Sequence, residues 1–178
     1  MSFKGANEPC GLEARAQKTE FAKAALKAFA VFLLALVADQ LLKVAFLVKF
    51  EFGTPFWHSE WVDLVLVQNR GVAFSMLAFF GEALKFLQLG LIAAIVVFLA
   101  VEKKILAQNA VACGLVLGGG ASNLLDRFLH GFVVDYVAWH KWFEFAVFNL
   151  ADVLIDLGVV LIVLAAWRQS RQNCKNQI

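Results

Sequence analysis

The sequence predicts an all-α membrane protein: four transmembrane helices, a small β-rich stretch after the first helix and an interfacial loop before the last. Three observations carry that prediction. Hydrophobic residues fill 61% of the 178 positions and charged residues only 17%, against about 45–50% and about 25% in an ordinary soluble domain. Four apolar runs approach the length of about 20 residues that a bilayer-crossing helix needs. The basic residues gather on alternate loops, as they do in chains oriented by the positive-inside rule. A mean hydropathy of +0.73 also excludes intrinsic disorder. A net charge of +2 leaves no electrostatic footprint for nucleic acid. Cys10, Cys113 and Cys174 are scattered, with no CxxC and no Cys/His cluster, and read as unpaired thiols.

Residues 1–26 form a polar tail that becomes helical near Phe21. The apolar run 28–38 resembles the core of a signal peptide. It resumes after Asp39–Gln40, however, so a span over about 27–49 fits better. The next stretch, 50–61, is aromatic and broken by Gly53 and Pro55, and its tryptophans suit the headgroup zone. Residues 61–67 (WVDLVLV) are β-branched and too short to cross a bilayer, which predicts a strand. The second span falls at about 84–101 and the third at about 107–128. The third is the weakest, because Gly118–Gly120 either smooth a packing face or loosen the helix. The loop 129–145, with Trp139, His140, Lys141 and Trp142, lies against the interface, and the fourth span covers about 146–167. Residues 168–178 form a second polar tail. With four spans, ten of the sixteen basic residues fall on the tails and the 102–108 loop, which places both termini in the cytoplasm.

Ionisable side chains inside spans cost roughly 2.5–3.5 kcal/mol each and usually mark function. Four clusters stand out. Asp39 and Lys43 are one turn apart and can pair. Asn69, Arg70 and Gly71 open a turn-forming segment that continues to Ser75, and either redirect the chain or contact a substrate. Asn123, Asp126 and Arg127 share the end of the third span, where adjacent Asp126 and Arg127 cannot face each other and Arg127 is left for another carboxylate or a phosphate. Gly131 then predicts a turn presenting Asp135 just outside the membrane. Asn149, Asp152 and Asp156 form a polar stripe on the last helix, with no basic residue until Arg168.

Asp135 and Asp152 both fall near the non-cytoplasmic face. Two carboxylates brought together at low dielectric share a proton, so one can act as general base on water and the other as general acid. A proton or cation pathway through Asp39, Asp126, Asp152 and Asp156 explains buried acids equally well. A four-helix proton- or cation-coupled transporter is therefore the alternative. No HExxH and no P-loop is present, and His58, His130 and His140 read as interfacial side chains, so no metal or cofactor is expected.

The blocks DQLLK (39–43), NRGVAF (69–74), NLLDR with Gly131 and DY (123–136) and FNLAD (148–152) together resemble lipoprotein signal peptidase, or signal peptidase II. The resemblance covers about 27–167. It implies a bacterial inner-membrane aspartic endopeptidase acting on prolipoproteins that carry diacylglycerol on a cysteine, cleaving N-terminal to that cysteine and inhibited by the cyclic peptide globomycin. Membrane lipid is the other implied partner. Asp135 and Asp152 match the catalytic pair. Asp39, Lys43, Asn69, Gly71, Asn123, Asp126, Arg127 and Asn149 match supporting or substrate-contacting positions, and the strand-rich first loop matches an extracytoplasmic sheet that cradles substrate. Two positions depart from the family pattern: Ser122 replaces the usual Gly, which puts close packing there in doubt, and Tyr136 replaces the commoner Phe, which reads as conservative.

Overall fold

Helices α1 (Glu8–Lys49), α2 (Ala83–Val101), α3 (Lys103–Leu129) and α4 (Leu150–Lys175) are joined by strands β1 (Pro55–His58), β2 (Val62–Asn69) and β3 (Val133–Trp139). The structure is a computed structural model and describes residues 8–71, 81–143 and 145–175. Val72–Ser75, the second half of the turn-forming segment read from the sequence, lies outside the described residues. All four helices are long and apolar enough to cross a membrane.

Helix α1 begins earlier than the sequence reading placed it, at Glu8 instead of near Phe21. Its first turns are rich in Ala, Glu, Lys and Leu, all strong helix formers, so the polar tail continues the span without a break. Its 42 residues reach about 63 Å, roughly twice the hydrocarbon thickness of a bilayer. Helix α4 starts at Leu150, not near Ala146, because Phe148 is held extended by a bridge to Val137. Asn149 therefore precedes the helix and is not part of a stripe on it.

Helix α3 is the centre of the bundle. Half of its most apolar window is buried, against 11% for α2 and for α4. That position explains its glycines. A Cβ at Gly114 would lie 2.5 Å from the Ala28 carbonyl oxygen of α1, and one at Gly118 2.7 Å from that of Phe32. On the other side, Gly119 meets the Ala151 carbonyl of α4, and Gly158 of α4 meets that of Ala112. The small residues therefore serve close helix approach. Gly120 is different: its Cβ would make ordinary contact with Ile92 at 3.7 Å.

The strands form one antiparallel sheet in the order β1-β2-β3. The β-rich first loop supplies two of them. The third comes from the loop read as merely interfacial, where the run VVDYVAW carries a β-branched and aromatic signal of its own. Leu66, Val134 and Tyr136 form the sheet's buried core, packed on Phe46 and Leu47 of α1 and on Phe50 and Phe56. The Phe50 and Phe56 rings stack 3.7 Å apart. This core seats the sheet on one end of the bundle. Register puts Asp135 opposite Val67 and Asn69 opposite Val133, so both polar side chains reach that end from neighbouring strands.

Candidate active site

The site is assembled on the first turn of α4, whose backbone N–H groups have no intrahelical partners. Each finds a side-chain acceptor. Leu150 N–H donates to Tyr136 Oη at 2.9 Å, Ala151 N–H to Asp39 Oδ1 at 2.9 Å, and Asp152 N–H to Asn149 Oδ1 at 3.0 Å. In return, the Asn149 N–H donates to Asp152 Oδ2 at 3.2 Å. Asn149 and Asp152 thus form a reciprocal capping box, with aspartate in the place of the usual glutamate. The backbone holds Asp152 before any substrate arrives.

Asp135 is presented by β3 and is 1% exposed. Asn69 Nδ2 donates to its Oδ2 at 2.8 Å and Asn149 Nδ2 to its Oδ1 at 2.7 Å. Asn123 Nδ2 donates to Asp152 Oδ1 at 2.8 Å. Asn149 therefore bonds both carboxylates, one through its amide side chain and one through its backbone. Burial is the largest influence on the Asp135 carboxyl and pushes it up; the Asn69 amide opposes, the Asp152 charge adds, and Asn149 and Lys43 oppose. The balance leaves it at about 7.

Behind the pair lies a buried ionic hub. Lys43 Nζ contacts Asp39 Oδ2 at 2.7 Å, Asp126 Oδ2 at 2.7 Å and Asn123 Oδ1 at 2.8 Å, one acceptor for each of its three protons. Lys43, Asp39 and Asp126 are each 1% exposed or less. Asp126 also accepts from the Val134 N–H at 3.1 Å and from Gln40 at 2.8 Å. The hub thereby ties α1 and α3 to β3 and, through Asp39, to the start of α4. Ser122 joins it. Its Oγ donates to Asp39 Oδ2 at 2.7 Å and accepts from Gln40 at 2.9 Å. The sequence reading put close packing at Ser122 in doubt; the residue is fully buried, and its hydroxyl bonds across to α1.

Arg127, left by the sequence for another carboxylate or a phosphate, pairs with no carboxylate among the described residues. It donates to the Gly71 carbonyl oxygen and to Gln88 Oε1 of α2, each at 2.5 Å. The Gly71 N–H donates to Asn69 Oδ1 at 2.9 Å, which fixes the amide that faces Asp135. Arg70 points elsewhere, to Gln68. Asn69, Asn123, Arg127 and Asp152 open on a cavity of about 840 Å³. Its walls are Leu84, Leu87 and Leu91 of α2 and Val153, Leu157 and Val160 of α4. Asp156 also lines it, one turn from Asp152 and exposed.

All ten residues singled out in the sequence thus fall in one connected neighbourhood. Sequence reasoning missed Gln40, Gln88, Ser122 and Tyr136 as members. Gln40 and Gln88 were visible as amides inside apolar helices, a signal of the same kind as the acids. Tyr136 was legible only as an aromatic, since its bond to Leu150 N–H depends on how β3 meets α4.

Four apolar helices around a capped aspartate, with a second aspartate from a sheet at their end, define a membrane protein built to hold a carboxylate pair beside an apolar cavity. Residues 31–168 match the family model Peptidase_A8, signal peptidase (SPase) II, and the chain belongs to that family. A lipoprotein signal peptidase of Campylobacter jejuni is 47% identical over 133 residues, 75% of this chain and 82% of that protein. One of Helicobacter pylori is 44% identical over 152 residues, 85% of this chain and 94% of that protein. A solved structure described as a bacterial membrane enzyme superposes with a TM-score of 0.71 at 23% identity, covering 80% of this chain and 88% of its own, and shares the fold.

Proposed function

We propose that this protein is a bacterial membrane aspartic endopeptidase that removes signal peptides from diacylglyceryl-modified prolipoproteins, cutting N-terminal to the lipidated cysteine. Family membership supports the reaction. The observation that carries the mechanism is the double attachment of Asp135 and Asp152 through Asn149. Asp152 opens on the cavity and acts as general base, taking a proton from water as its oxygen attacks the scissile carbonyl. Asp135, buried and at about 7, holds the shared proton and donates it to the carbonyl oxygen. The tetrahedral gem-diol collapses as Asp152 gives its proton to the leaving nitrogen and the C–N bond breaks, while Asp135 recovers a proton from one of the diol hydroxyls, which becomes the product carbonyl. Lys43, Asp39 and Asp126 position the pair from behind, and Arg127 with Gly71 and Asn69 sets the edge of the opening.

The apolar walls of the cavity suit the two acyl chains of the substrate, with membrane lipid in their place when substrate is absent. Globomycin, a cyclic peptide, is the inhibitor that the resemblance to the family implies. The basic tails and 102–108 loop support an orientation with both termini in the cytoplasm and the carboxylates near the extracytoplasmic face. A carrier is not supported: family membership opposes it, and Asp39 and Asp126 are both tied to Lys43 in a closed hub instead of forming a relay toward Asp156.

The test is cleavage of a diacylated prolipoprotein by purified Asp135→Asn and Asp152→Asn proteins. Each is expected to lose at least about 10²-fold in rate, the contribution of one general acid or base. Near-normal cleavage by either would overturn the assignment.

A further inference from the structure

A second polar cluster lies at the far end of the sheet, away from the carboxylate pair. His58 of β1 and Asp63 of β2 are direct cross-strand partners, with Nδ1 2.5 Å from Oδ1. His140 follows β3 and brings Nε2 to 3.1 Å from the same oxygen. Its backbone N–H donates to the Trp61 carbonyl at 3.1 Å, which pins it beside the start of β2. The two imidazoles lie parallel within 8°, with centroids 5.8 Å apart. One nitrogen from each ring and one carboxylate oxygen fall within 4.8 Å of one another.

We propose that His58, Asp63 and His140 form a binding site for a first-row divalent cation, best matched to Zn²⁺, that clips β1 to β3 across β2. Two imidazole nitrogens and one carboxylate oxygen are the donor set that Zn²⁺ takes at about 2.0–2.2 Å, with solvent completing the tetrahedron. The same donors rank it above Mg²⁺ and Ca²⁺, which require oxygen. As the side chains stand, two rings crowd one carboxylate oxygen; a cation bridges all three with less crowding. Tetrahedral donors at about 2.0–2.1 Å from the cation lie roughly 3.3 Å from one another, so the 2.5 Å and 3.1 Å separations open slightly to admit it, and His58, with a side chain 75% exposed, has room to swing. The backbone is already set, because β-pairing holds two of the three residues in register.

The site is separate from the reacting carboxylates. Asp63 is four residues from Val67, the strand partner of Asp135, or about 13 Å along β2. The clip therefore serves the sheet, at an end where Trp61, Trp139 and Trp142 pack edge to face or tilted and Lys141 lies over Trp61. His130 takes no part and stacks on Phe132. The sequence hid the site because His58 and His140 are far apart in the chain and no metal-binding spacing links them.

The experiment titrates tag-free, chelator-stripped full-length protein in detergent with Zn²⁺ by calorimetry, with Co²⁺ absorption as a second readout. The expected result is one equivalent bound and a raised thermal midpoint. His58→Gln and His140→Gln should each weaken binding by at least about tenfold, since even residues that only support a metal ligand matter that much. His130→Gln should leave binding unchanged. His58 is exposed enough that its variant keeps the fold, so loss of binding there reports the ligand itself. Absence of binding to the wild type, or a full equivalent retained by a His58→Gln/His140→Gln double variant, would overturn the proposal. The outcome is independent of proteolysis, because the readout is metal and not cleavage.

Discussion

Tyr136 shows how much one atom decides at this site. As a sequence it is an aromatic in place of a commoner Phe. In the structure its hydroxyl takes the Leu150 N–H at the mouth of α4, the one first-turn donor that Asp39 and Asn149 do not reach. Burial pushes that hydroxyl well up, so it stays un-ionised at any working pH. Tyr136→Phe removes the acceptor and leaves a buried donor, a change that costs about 1–3 kcal/mol. The expected result is a lower unfolding midpoint in detergent and a reduced kcat with little change in KM, measured on the purified variant. Asp135 carries the pH dependence. Its carboxyl stands at about 7, raised from the ordinary carboxylate value, chiefly by burial. Below that ordinary value it is protonated folded or unfolded and contributes nothing; from about 4 to about 7 the unfolded chain alone ionises, so stability falls as pH rises through that window. In the proposed mechanism the same proton is the one shared by the pair. A profile of kcat/KM is therefore expected to decline on its alkaline side near pH 7, and a flat profile to pH 9 would remove Asp135 as the acid.

At the scale of elements, α3 determines the spacing of the bundle. Gly114 and Gly118 let α1 approach, while Gly119 and Gly158 do the same for α4. Two substitutions separate this packing from simple helix propensity. Gly114→Ala drives a Cβ to 2.5 Å from a backbone oxygen of α1 and should cost about 1–3 kcal/mol by overpacking. Gly120→Ala meets only Ile92 at ordinary contact distance and should be neutral or stabilising by up to about 1 kcal/mol. Thermal unfolding of the two variants side by side checks the contrast. The hub at Lys43 depends on the same spacing, because its ligands come from α1 and α3 together. Such a buried cluster is weak support for stability, yet losing one partner strands charge in low dielectric. Its service here is to fix where α4 begins, through Asp39 and the Ala151 N–H.

At the scale of the whole molecule, the buried polar side chains among the described residues gather at one end of an apolar bundle, with the sheet seated on it and the cavity opening between α2 and α4. The distribution of Lys and Arg supports the proposed placing of that end on the extracytoplasmic side. A C-terminal alkaline phosphatase fusion is accordingly expected to be inactive in cells, and a fusion within the 140–143 loop active. Activity at the C-terminus would invert the topology and place the carboxylates on the wrong side for exported prolipoproteins.

The sequence by itself determined the environment, the number of helices and the identity of the ionisable residues. Each is a local property: apolar length measures a span, and an acid inside such a span is conspicuous without any fold. It also held the pair proposed as reactive, because Asp135 precedes the last span and Asp152 stands in its first turn, at matching depth. Contacts between distant segments were decided only by the tertiary structure. The capping box that makes Asn149 a bridge, the third strand under Asp135, the redirection of Arg127 to the Gly71 carbonyl and the hydroxyls of Ser122 and Tyr136 all depend on it. The physical reason is that hydrogen bonds are directional and short. Which donor meets which acceptor depends on helix spacing and strand register to within an ångström, and neither is encoded in the periodicity of any one segment.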